Sequence, residues 1–176
     1  LDYESEKQFS AVTYLLPDET CFVAYRGTDM SFVGWKEDFN MVYKSPIPSQ
    51  EEGVEYLNAA AGKTSGGIIV GGHSKGGNIA VYSSMYCSHP VRDRITAVYS
   101  HDGPGFKEDI FKSSAFMEIK DRIHKIIPQS SIIGMLLQVQ ENYQVVESKR
   151  FWIMQHDPFS WIIEKGDFRY AKTVAN

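Results

Sequence analysis

The stretch IIVGGHSKGGNIAVYSSMY, Ile68 to Tyr86, decides the fold. An apolar, β-branched run enters a cluster of glycines around Ser74, and the residues that leave the cluster have helical spacing. Gly72-His73-Ser74-Lys75-Gly76 fits G-x-S-x-G, the pattern of a serine at the apex of a strand-to-helix turn. The backbone at such an apex is strained, and positions two before and two after the serine come so close that a Cβ would collide. Gly72 and Gly76 remove that collision. With frequencies near 7% for Gly and Ser, roughly 0.06 chance matches are expected in a chain of this length, so the flanking strand and helix carry much of the inference. A phosphate-binding turn does not fit. Lys75 follows the serine, whereas G-x-x-x-x-G-K-[ST] places Lys before it, and no G-x-G-x-x-G with a suitably spaced acid is present. A glycine-rich turn that only packs a helix against a strand stays open at this point.

Working outward, QFSAVTYLL and TCFVAYR are β-rich runs separated by Pro17-Asp18-Glu19, which predicts a hairpin. SPIPSQEEGVEYLNAAAG predicts a helix with Ser49 as N-cap, Glu52 completing a capping box, apolar Val54, Leu57 and Ala61, and Gly62 as its stop. A strand at GIIVGG, a helix from about Lys75 to Ser88, a strand at ITAVYSH, a helical region from about Lys107 to Lys120 and a strand at IHKII follow. The closing segments YQVVES, RFWIMQ and FSWIIE read as strand-rich, adding antiparallel edges. Alternating strands and helices imply right-handed crossovers, hence one α/β domain over residues 1–176: a mainly parallel sheet with helices on both faces. Because the chain opens directly into a strand and closes on one, further residues at one or both ends are expected.

Composition narrows the classes of function. With 18 basic and 22 acidic residues and a formal charge of −4, the chain has no broad cationic surface for nucleic acid or an anionic membrane. Cys21 sits in a strand-like run and Cys87 near a helix end, as buried small hydrophobes do, and two isolated cysteines make no zinc site. No metal or organic cofactor is expected. No apolar run approaches the roughly 20 residues of a membrane span, and LDYESEKQF is no signal peptide, so the reading is a soluble, cytoplasmic protein.

A second unusual passage, VAYRGTDMSFVGWKEDFNM from Val23 to Met41, follows a strand with Arg26, Gly27, Thr28, Trp35 and Asp38. By itself it reads equally well as a solvated loop. Together, Tyr25-Arg26-Gly27-Thr28, Trp35, Asp38 and Gly72-His73-Ser74-Lys75-Gly76-Gly77 resemble the class 3 lipase family of α/β-hydrolases, over roughly residues 8–160. SHDGPGF is similar to that family's Gly-Pro loop. GHSKGGN, with Lys75 where the lipases carry Leu, resembles a bacterial branch of lipase-like proteins. The resemblance implies an α/β-hydrolase fold and Ser74 as nucleophile. It further implies the Lys75 N–H and Thr28 as oxyanion-hole donors, with Arg26 and Asp38 holding the oxyanion loop.

A serine nucleophile needs a base within hydrogen-bond reach and an orienting partner for that base. His73 is read as a packing residue, since at the elbow its side chain points away from Ser74 Oγ; His89 closes a helix. His101 and His124 flank the later strands. His156, in MQHDPFSW before a Pro-containing loop, is the base expected. The acid expected is Asp102, directly after ITAVYSH, which reads equally well as a hydrogen-bond partner of the Gly103-Pro104-Gly105 turn. The resemblance places the acid one strand later, where PQSSIIG offers Ser131 and no carboxylate, so a Ser74–His156 dyad helped by Ser130 or Ser131 stays open. SSIIGMLLQV reads as core or as a short covering helix. The function expected is a serine hydrolase of small-molecule esters or acyl-lipids. The alternative is a non-catalytic hydrolase-like domain that binds a ligand or a partner protein.

Overall fold

Turn chemistry starts the sheet. β1 (Ala11–Leu15) and β2 (Cys21–Tyr25) pair antiparallel, and between them Glu19 takes a positive φ of 65° while Asp18 Oδ1 accepts the Thr20 N–H at 3.0 Å. The computed structural model describes residues 9–27, 46–137 and 142–174. From β2 the sheet grows in one direction through β3 (Ile68–His73), β4 (Ile95–His101), β5 (Ile123–Pro128) and β6 (Gln144–Val146), all parallel. After a small separate hairpin of β7 (Ile163–Glu164) and β8 (Asp167–Phe168), β9 (Tyr170–Ala171) closes the far edge antiparallel to β6. The seven-stranded order is β1-β2-β3-β4-β5-β6-β9.

The helices are α1 (Pro48–Ala61), α2 (Lys75–Tyr86), α3 (His89–Arg92), α4 (Glu108–Phe111) and α5 (Ser114–Ile119). A strand order that advances one neighbour at a time, joined by right-handed crossovers, puts the intervening helices on the same side of the sheet. Among the described residues α1, α2 and α5 share one core with that side, built on Val23, Val70 and Val98 from the strands and Leu57, Ile79 and Phe116 from the helices. The other face carries Phe22, Ala24, Ile69, Tyr99 and His101, which with Phe168 line an open cavity of about 700 Å³. Helices were expected on both faces, but those among the described residues pack on one, because the strand order never reverses direction. This is the α/β-hydrolase fold, with the strand–elbow–helix unit β3–Ser74–α2 at its centre.

Several local expectations are corrected. The cap of α1 is Ile47, not Ser49, because Pro48 is pre-set for the first helical position; Gln50 Oε1 takes the Ile47 N–H at 3.0 Å. The helix expected over 107–120 is two, since Ser113 Oγ accepts the Phe116 N–H at 3.2 Å and starts α5 afresh. His89 opens α3 instead of closing a helix. RFWIMQ forms no strand: Trp152–His156 is a 3₁₀ turn, in which Gln155 folds inward, its Nε2 donating to Arg150 O at 2.8 Å and its Oε1 accepting the Ser130 N–H at 2.8 Å.

The elbow depends on backbone contact. A Cβ on Gly72 would lie 2.3 Å from the Gly76 carbonyl carbon, and one on Gly76 would lie 2.2 Å from Tyr25 O. Gly76→Ala should therefore lower the urea midpoint at unchanged slope, by about 3 kcal/mol in unfolding free energy, although Ala is the better helix former. An unchanged midpoint would refute the contact.

Candidate active site

Ser74 is held at φ 57°, ψ −130° as the residue before α2. Its N–H still bonds His101 O at 2.9 Å, and its carbonyl accepts the Gly77 N–H at 2.9 Å, so the strained residue is tied to both β4 and α2. Strain of this kind collects at functional sites. Three of the six positive-φ non-glycine residues among those described, Ser74, Asp102 and Trp152, lie in or beside this site.

Asp102 follows β4 as Ser74 follows β3, at φ 49° and with its N–H on Ile126 O at 2.7 Å. His156 comes from the 3₁₀ turn. Its Nδ1 lies 2.6 Å from Asp102 Oδ2 and its Nε2 3.0 Å from Ser74 Oγ. A carboxylate accepts, so Nδ1 carries the proton and Nε2 is free to accept the serine hydroxyl. Asp102 is fully buried and the His156 side chain mostly so.

The second carboxylate oxygen is also occupied. Ser131 Oγ donates to Asp102 Oδ1, joined by the Gly134 N–H at 3.1 Å. Ser131, considered above as helper in a dyad without an acid, thus sits behind an acid. A Cβ on Gly134 would fall 2.3 Å from Asp102 Oδ1, so only glycine permits this approach. Residues 132–137 form turns over Asp102 and no helix, and Lys125 Nζ donates to Gly134 O at 2.7 Å. Burial pulls the Lys125 ammonium down to about 8, with the nearby Asp102 charge opposing. Asn78 on α2 fixes the turn after Asp102, donating to Pro104 O and Gly105 O at 3.1 Å each, and accepts from Gln50 Nε2 at 2.7 Å.

Of the oxyanion-hole donors expected, Lys75 opens α2, where backbone N–H groups and the positive end of the helix dipole meet. The residue is 1% exposed, so its side chain is buried. Thr28, with Trp35 and Asp38, lies outside the described residues. Arg26 is exposed at the end of β2. His124 is exposed and stacks on Tyr99 at 5.0 Å; His101 packs against Trp161 at 5.6 Å. His73 was expected only to pack, but its Nε2 reaches His156 O at 2.7 Å. Sequence reading missed this contact, together with Gln155, Lys125 and Gly134, since each acts across a distance in the chain that spacing does not reveal. Among the described residues no group of three His, Cys, Asp or Glu is placed to hold a metal, and no helix is long and apolar enough to cross a membrane.

Fold and elbow together define an α/β-hydrolase domain. Over residues 1–176 the sequence matches the model of the Mbeg1-like family, and the chain belongs to that family. Two solved structures are similar in fold. One is a triacylglycerol lipase whose catalytic centre is a serine protease triad, at 14% identity and TM-score 0.45 over 82% of this chain and 66% of that one. The other is M37 lipase, at 14% identity and TM-score 0.45 over 90% of this chain and 71% of that one. The chain thus spans just under two thirds of the first lipase's length. Comparison with curated protein sequences gave no match.

Burial lowers the pKa of His73 to about 4, aided by His156 beside it, and burial lowers that of His101. Between about pH 6.5 and 4 the unfolded chain therefore binds protons that the native state refuses, and stability falls as pH falls. Urea midpoints should decline through this window, less steeply in His101→Phe; parallel curves for the two proteins would contradict the assignment for His101.

Proposed function

We propose that the protein is a serine hydrolase of carboxylic esters. The observation that carries this reading is the relay from Ser74 Oγ to His156 Nε2 at 3.0 Å and from His156 Nδ1 to Asp102 Oδ2 at 2.6 Å. Ser74 attacks the ester carbonyl while its proton passes to His156 Nε2. Asp102 fixes the tautomer and stabilises the imidazolium. The carbonyl oxygen, now negative, is met by the Lys75 N–H at the start of α2 and, by the resemblance to class 3 lipases, by Thr28. His156 returns the proton to the departing alcohol, leaving an acyl-serine. A water deprotonated by His156 then releases the acid and restores Ser74.

Apolar acyl groups, including those of acyl-lipids, suit the surroundings. Phe151, Trp152, Met154 and Phe159 bracket His156 in the chain, with Phe151 87% and Phe159 95% exposed. A domain that only binds a ligand would have no need for this convergence, and the buried Lys75 side chain removes one motive for that alternative.

The test uses p-nitrophenyl esters of graded chain length and a fluorophosphonate probe. Ser74→Ala should lose on the order of 10⁴–10⁶ in kcat and all labelling, and Asp102→Asn about 10⁴. Undiminished hydrolysis by Ser74→Ala, or a wild-type protein that neither labels nor turns over any ester, would overturn the proposal.

A further inference from the structure

The turn that carries His156 does not hold itself in place. It is a five-residue 3₁₀ segment, Trp152–His156, whose first residue has a positive φ and whose apolar side chains at Trp152, Ile153 and Met154 face outward. Its position is set by what grips it. Two consecutive carbonyls are taken by side-chain N–H groups from elsewhere: Trp161 Nε1 donates to Gln155 O at 2.8 Å, and His73 Nε2 to His156 O at 2.7 Å. Since a carbonyl only accepts, His73 carries its proton on Nε2. The His73 ring also lies against the His156 imidazole, centroids 4.6 Å apart and planes inclined by 40°.

We propose that His73 is a positioning residue, whose Nε2–H clamps the main chain of His156 and whose ring backs the imidazole. The residue that precedes the nucleophile in the chain thereby also sets the base. The inference rests on reading Ser74 and His156 as nucleophile and base. Burial and the neighbouring His156 keep His73 uncharged at neutral pH, which suits the role, because a second cation against the imidazolium would oppose proton transfer from Ser74. A phenyl ring fills the same space without the donor. Gln places an amide N–H near the position of Nε2, and Asn falls one methylene short.

The experiment compares His73→Gln, His73→Asn and His73→Phe with wild type by p-nitrophenyl butyrate kinetics. It also follows the low-field ¹H NMR signal of the His156 Nδ1 proton bonded to Asp102. His73→Gln should keep the signal and stay within about threefold of wild-type kcat, while Asn and Phe lose the signal and on the order of 100-fold in kcat with KM within about twofold. Equal losses in all three variants, or full activity and signal in Asn and Phe, would overturn the clamp. If Phe does not fold, the Gln–Asn pair decides alone. If wild type hydrolyses no ester, the functional reading fails and the NMR signal decides the clamp: kept in Gln and lost in Asn supports it, kept in both or lost in both refutes it.

Discussion

Backbone touching backbone at the elbow is the constraint on which the rest of the structure depends. The end of β2, the end of β3 and the first turn of α2 meet with no room for a Cβ at Gly72 or Gly76. Only this closeness allows the chain to reverse from strand to helix within one residue, and that residue, Ser74, absorbs the strain at φ 57°. The cost is met by interactions that strain leaves intact: the Ser74 N–H continues the ladder to β4, and its carbonyl enters the hydrogen bonding of α2. A side chain thus stands above the sheet edge on a backbone with little freedom to relax.

Rigidity spreads outward from there. Asp102 repeats the arrangement one strand along, with positive φ and its N–H on β5, and its carboxylate is filled from three directions by His156, Ser131 and Gly134. Lys125 holds Gly134 from beneath. A buried acid without these donors would be expensive to desolvate; with them it becomes a fixed acceptor that can aim an imidazole.

Much of this was legible in the sequence because it is local. The hairpin at Pro17-Asp18-Glu19, the strand–serine–helix unit and the alternation from Ile68 to Ile127 all follow from near-neighbour chemistry. His156 was reached by elimination and Asp102 by its place at a strand end, and the structure brings both to Ser74. What was not legible depends on partners far apart in the chain. RFWIMQ has a strand's composition, yet Gln155 finds Ser130 and Arg150, and those bonds curl the segment into a turn. His73 likewise looked inert because its partner lies 83 positions away.

The pairing of β3 with β4 contains one irregularity: Ile68 faces Ile95, but Ile69 faces Ala97, so Thr96 is the extra residue. Everything after it, up to His73 opposite His101, inherits that offset. Without it, each residue at the end of β4 would move by about 3.3 Å along the strand and exchange faces, and Asp102 would no longer stand beside Ser74. A small bulge near the start of two strands thus sets the alignment of Ser74 and Asp102 at their far ends. The assembled site is a length standard for the sheet, complete in one strand register and absent in its neighbours.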